Sequence, residues 1–201
     1  ANLMWMQREL ESTFEIKTEL VGHNDPDLKT EGKILNRLIR AEDSGWKREA
    51  DPRHAELLVE DLGVGGGKGL STPGVEEKDT EGDDEKLEEV WSSKYRSLVA
   101  RANYLATDRP DIGDAVKELC RTMSSPTKGS WTQLVRVGKY LSRNPRMIID
   151  YNWQGHEDRF QVCSDANCAG CFKSRKSTSG GVVTRGAHLI KQTHGAATSR
   201  R

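Results

Sequence analysis

Apolar residues along this chain change spacing several times, and each change marks an element. Leu3, Met4, Met6 and Leu10 recur at roughly helical intervals, after which FEIKTELV (residues 14–21) alternates as a strand would. His23-Asn24-Asp25-Pro26-Asp27 is a turn cluster. KILNRLIR (33–40) is apolar enough for a strand or a short helix, and Asp43-Ser44-Gly45 is a tight turn into WKREA, which together predict a hairpin. Asp51-Pro52 reads as an N-cap followed by Pro at the first helical position. The helix behind it gathers Ala55, Leu58, Val59 and Leu62 on one face and stops at Gly63.

Pattern is lost from Val64 to Val90 and returns at Ser93. Tyr95, Leu98, Val99, Ala102 and Leu105 form one helical stripe. Pro110 opens a second, carrying Ile112, Ala115, Val116, Leu119, Cys120 and Met123, and Pro126 ends it. Trp131, Leu134, Val135, Gly138 and Leu141 make a third, with Ser130 as its expected cap. Three such helices in succession predict a small antiparallel helical unit. RMIIDYNW (146–153) reads as a strand, and a last domain begins near His156.

Within that last domain, Phe160, Val162 and Ser164 alternate with Gln161, Cys163 and Asp165, as in a strand with one or both faces covered. Asp165 is expected where the strand runs out. A basic loop with Lys173, Arg175 and Lys176 follows, and GGVVTRG then returns as a second strand. A carboxylate beside a cationic loop suits a site for a metal and a phosphate backbone. A surface hairpin with one solvated Asp is the simpler alternative.

SDANCAGC and the following SRKSTSGG resemble the start of the RNase H domain in Pol polyproteins of copia-type retrotransposons. There the usual form is Ser-Asp-Ala-Asp-Trp-Ala-Gly-Cys, then an Arg-Ser-Thr-Ser-Gly run. This chain has Asn167 and Cys168 where the second Asp and the Trp usually stand. YRSLVARANYLATDRPDIGDAV (95–116) is similar to the family's connection segment, and RHAELLVEDLGVGGGKGLSTPG (53–74) to the end of its reverse transcriptase.

The resemblance implies that Asp165 is a ligand for catalytic Mg2+. It also implies that an RNA–DNA hybrid, or a DNA or RNA backbone, is the partner, read by shape rather than by base. Lys173, Arg175 and Lys176 are the candidate backbone contacts. The rest of the Pol polyprotein is the other expected partner.

RNase H chemistry needs several carboxylates around one or two Mg2+ ions. HLIK (188–191) resembles the domain's third strand, but no acidic residue follows Asp165, and no Tyr-x-Asp-Asp stands in residues 1–92. The chain alone is therefore expected to bind no Mg2+ tightly and to be inactive. A non-catalytic nucleic-acid-binding or interaction module is the alternative.

Charge adds a direction to this picture. Lys+Arg and Asp+Glu both total 31, so the net charge is zero, but the signs are segregated. Residues 75–90 hold nine acids against two lysines, whereas from Arg159 onward eight basic residues accompany Asp165 alone. The acidic stretch has few apolar residues to offset ordering entropy and reads as a disordered linker. Its preceding glycines do not make a phosphate-binding loop, because the Gly63–Lys68 spacing is wrong for one.

Two further groups have simple explanations. Cys163, Cys168 and Cys171 with His156, His188 or His194 could be read as a zinc site, yet no second CxxC or HxxxH pair accompanies Cys168-x-x-Cys171, and small buried hydrophobes explain them. Asp108, Arg109 and Asp111 around Pro110 read as helix caps.

The expected fold is α+β in four parts. Residues 1–74 are a hairpin and helix remnant of a polymerase, 75–92 the acidic linker, 93–155 the helical connection and 156–201 an incomplete RNase H-like β-sheet. With no apolar run of membrane-spanning length and no cysteine framework of a secreted domain, the expected setting is intracellular, cytoplasmic or nuclear, away from any membrane.

Overall fold

The computed structural model describes residues 2–74, 85–167 and 177–196. Its architecture is mixed, with α-helices and two antiparallel sheets, consistent with the α+β class. Helix α1 (Asn2–Thr13) comes first. The FEIKTELV segment after it is not one of the strands; Val21 makes an isolated bridge with Lys29. Strands β1 (Glu31–Ile34), β2 (Arg37–Glu42) and β3 (Gly45–Ala50) follow as a meander.

KILNRLIR is thus neither one strand nor one helix. It is a hairpin in which Ile34 pairs with Arg37 and the two residues between them, Leu35 and Asn36, have φ of 48° and 63°. Both central residues of a type I′ turn need positive φ. Asn accepts that readily, while Leu is sterically strained there, so the turn is dictated by strand register rather than by its own residues. The second turn, at Asp43-Ser44, falls where the sequence placed it.

Helix α2 (Pro52–Asp61) starts as expected: the Asp51 side chain accepts from the Arg53 amide and Pro52 fills the first turn. Arg53 and Lys33 also hold the Asp51 carboxyl well below its usual pKa range, the Arg53 hydrogen bond being the main cause and burial opposing it. Gly63 ends the helix with φ of 64°.

Residues 75–84 of the acidic linker lie outside the described residues. Its last part is structured. The Leu87 amide donates to the Pro126 carbonyl, Lys128 to that of Glu85, and α3 (Glu89–Ala106) begins before Ser93. A 3-10 turn (Pro110–Ile112), α4 (Gly113–Arg121) and α5 (Lys128–Arg143) complete the helices.

The three apolar stripes meet in one core. Tyr95, Val99, Ala102, Ile112, Val116, Leu134 and Leu141 are all fully buried there. Burying each large aliphatic side chain contributes about 1.5–3 kcal/mol. On α5 the inward residue is Val137, with Val135 half-buried. Tyr95 keeps its hydroxyl paired inside the core, 3.0 Å from the Leu119 carbonyl and 2.7 Å from Thr122.

The α5 cap is Thr127 rather than Ser130. Thr127 accepts from the Ser130 amide while the Ser130 hydroxyl accepts from the Thr127 amide, a reciprocal capping box. Thr127→Ala should cost about 1 kcal/mol, read as a shift in the urea midpoint with an unchanged slope.

Strand β4 (Ile148–Asn152) pairs with β3, so the strand after the helices joins the sheet before them. Ala50, Ala55 and Leu58 sit in the same core as the α3–α5 residues. The segments on either side of the acidic stretch therefore share one sheet and one core. Buried Glu49 ties them further. Arg146 lies 2.6 Å and Arg40 2.8 Å from its carboxylate, and they depress its pKa, Arg146 first, against the opposing effect of burial.

The second sheet has the order β5-β6-β7, with β5 (Phe160–Asn167), β6 (Thr178–Arg185) and β7 (His188–Ala196). It meets the first unit through polar contacts. The Tyr151 hydroxyl donates to the Leu189 carbonyl at 3.3 Å, His188 Nε2 to that of Asn152 at 2.8 Å, and Gln154 bonds the backbone of Arg185 and Ala187.

Candidate functional site

Asp165 stands on β5 because FQVCSDAN alternates and pairs along its whole length with β6. The strand does not run out at Asp165, as its alternation suggested, but continues to Asn167, which is opposite Thr178. Asp165 itself is opposite Gly180, a residue with no side chain to cover it. The carboxylate is exposed and accepts a local bond from the Ala166 amide at 2.8 Å.

Nor is β5 covered. Phe160 is 60% and Val162 70% exposed, and Gln161, Cys163 and Asp165 on the other face are exposed too. The alternation reported a strand correctly; it could not report whether anything packs on it.

Lys173, Arg175 and Lys176 lie outside the described residues, as do Cys168 and Cys171. No group of three or more His, Cys, Asp or Glu residues arranged to hold a metal occurs among the described residues. Of the zinc alternatives, Cys163 is exposed and so is not the small buried hydrophobe expected, because no described residue packs over its face of β5; His156 is 2.7 Å from Asp158, and His188 is engaged with Asn152, Gln154 and the edge of Tyr151. Asp165 is an exposed carboxylate, and one carboxylate is fewer than the several oxygen ligands that Mg2+ takes.

The Asp108-Arg109-Asp111 group does not cap a helix as expected, since neither the 3-10 turn nor α4 has a side-chain cap bond; its charges pair instead. Arg109 is 1% exposed and grips Asp111 with two parallel bonds of 2.9 and 2.7 Å. Its remaining donors reach the Asn144 and Pro145 carbonyls at 2.9 and 3.2 Å. Burial raises the Asp111 carboxyl pKa, but Arg109, helped by the Tyr140 hydroxyl at 2.9 Å, outweighs this and holds it below its ordinary value. Asp108 instead pairs with Arg37 of β2 at 2.6 Å. The sequence signal was three charges around a proline; their distant partners had no local sign.

A cleft not anticipated from the sequence opens between the helices, the first sheet and β7. It encloses about 210 Å3 and is bordered by Arg48 of β3, by Ala106, Thr107, Pro110 and Gly113, and by residues 189–192.

Comparison with known proteins gives the chain relatives. It is 37% identical over 98 residues to the "Retrovirus-related Pol polyprotein from transposon RE2" of Arabidopsis thaliana, covering 49% of this chain and 7% of that one. The corresponding RE1 polyprotein is 36% identical over the same length, with the same shares. An "Uncharacterized mitochondrial protein AtMg00810", also from Arabidopsis thaliana, is 27% identical over 192 residues, 90% of this chain and 70% of that one. The chain thus spans well under a tenth of the transposon polyproteins it matches. No protein-family profile matches it, and no solved structure does. No helix among the described residues is long and apolar enough to cross a membrane.

Proposed function

We propose, for a chain that belongs with the copia-type retrotransposon Pol polyproteins, that it is the segment joining the polymerase to the RNase H region and that it engages an RNA–DNA hybrid. The observation that supports this best is Asp165. It is an exposed carboxylate in a paired strand, opposite a bare glycine, inside the SDANCAGC run. In this reading Asp165 is one Mg2+ ligand of an RNase H centre whose other carboxylates come from elsewhere in the polyprotein. The ion, when bound, would activate water and stabilise the leaving oxygen. Lys173, Arg175 and Lys176 would hold the backbone beside it, as cations neutralising phosphates irrespective of base.

The test is hybrid binding by the chain as a function of salt. Affinity should fall as a power of salt concentration, because bound counterions are released from the nucleic acid. Replacing Lys173, Arg175 and Lys176 with glutamine should flatten that slope by roughly 0.7–0.9 for each phosphate no longer neutralised, and should weaken binding to all sequences alike. Salt-independent affinity, or no affinity for any hybrid, would overturn the reading.

A further inference from the structure

We infer that the cleft between the first sheet and β7 is a phosphate-binding site, built from Arg48 and Lys191 and separate from the Asp165 region. Three observations carry it. The lining holds two cations, Arg48 and Lys191, and no carboxylate among the described residues. Arg48 is half-buried on the cleft wall with its guanidinium 5.8 Å from the Tyr151 ring, and among the described residues no carboxylate pairs with it and its Nε has no hydrogen-bond partner. The volume, about 210 Å3, suits a small anionic group and falls below the ~300–1,000 Å3 of pockets for drug-sized ligands.

The nearby acids are committed elsewhere: Asp108 to Arg37, Asp111 to Arg109 and Tyr140, and Asp114, in the first turn of α4, to Lys117. They leave the cationic character of the cleft uncancelled at close range. Gly113, the first residue of α4, is on the same wall, where the positive end of the helix dipole adds to the two side chains. Gln192 closes the far side, with Nε2 3.4 Å from the Pro110 carbonyl. The phosphate could belong to a nucleic-acid strand or be free in solution. The chemistry of recognition is the same, a guanidinium and an ammonium on one anionic group.

The experiment is a titration of the full chain with inorganic phosphate and, separately, with a short single-stranded oligodeoxynucleotide. Amide signals of Gly113, Leu189 and Gln192 are followed by NMR. Saturable shifts at these amides are expected, abolished in the Arg48→Gln/Lys191→Gln double variant. Saturation by inorganic phosphate identifies a site for the free anion; response to the oligonucleotide alone identifies a strand phosphate.

Arg48 lies on a central strand, so its replacement also risks the fold. Lys191→Gln alters an exposed side chain and should by itself weaken binding by roughly two- to fivefold, the scale of one exposed charge pairing. Silence of the three amides with both probes, or wild-type affinity in Lys191→Gln, overturns the inference. Hybrid binding through Lys173, Arg175 and Lys176 is scored separately, so either reading can fail while the other stands.

Discussion

Asp165→Asn, in a chain extended by the further carboxylates that an RNase H centre requires, should lower Mg2+-dependent cleavage of a hybrid by roughly 100-fold or more. That is the scale on which one preorganised charge-stabilising group counts. The amide keeps the shape of the side chain and removes its charge, and Mg2+ demands charged or strongly polar oxygens in near-octahedral array. The fold should be indifferent to the change. The carboxylate is exposed, and its described hydrogen bond is to the adjacent Ala166 amide. Stability should therefore remain within about 0.5 kcal/mol. Asn167→Asp should matter far less, because the resemblance assigns the metal to the first acidic position of the run. Full-rate cleavage by the Asp165→Asn chain would show that SDANCAGC is a structural match alone.

Arg109→Ala should be the most damaging substitution for stability, costing about 3–5 kcal/mol, as removal of one member of a buried ion pair does. The loss has three parts. Asp111 keeps its charge in a half-buried place with the Tyr140 hydroxyl as remaining support. The Asn144 and Pro145 carbonyls lose their donors. The volume of a fully buried side chain is left empty.

Those carbonyls lie in the connection from α5 to β4, so the damage should spread to the β3–β4 pairing. Hydrogen exchange should show Ile149 and Tyr151 amides losing protection along with the helices. Replacement of Arg109 and Asp111 together by apolar residues of similar size should cost much less, since no buried charge is stranded. If Arg109→Ala unfolds at the wild-type urea concentration, this bridge does not hold the unit together.

The helical unit was readable because its information is local. A stripe at intervals of three and four residues needs no partner to be seen, and Tyr95, Leu98, Val99, Ala102 and Leu105 all proved buried. Asp51-Pro52 was readable for the same reason: cap and first turn are adjacent in sequence. The SDANCAGC run fixed attention on Asp165, and alternation placed it on a strand, although not how far that strand continued.

Tertiary structure decided whatever depends on residues far apart in the chain. Leu35-Asn36 became a tight turn because β1 and β2 pair in one register, against the preference of leucine. RMIIDYNW showed its strand character in sequence, but its place beside β3 is a long-range pairing that no local pattern encodes. Arg109 looked like any charge next to a proline until the 3-10 turn and the end of α5 closed around it. Arg48 and Lys191 share a cleft by the same kind of accident of folding. Periodicity reveals which face of an element is apolar; it says nothing about which other element, or which ion, will meet that face. That is settled when distant segments close together and each buried charge either finds a partner or destabilises the fold.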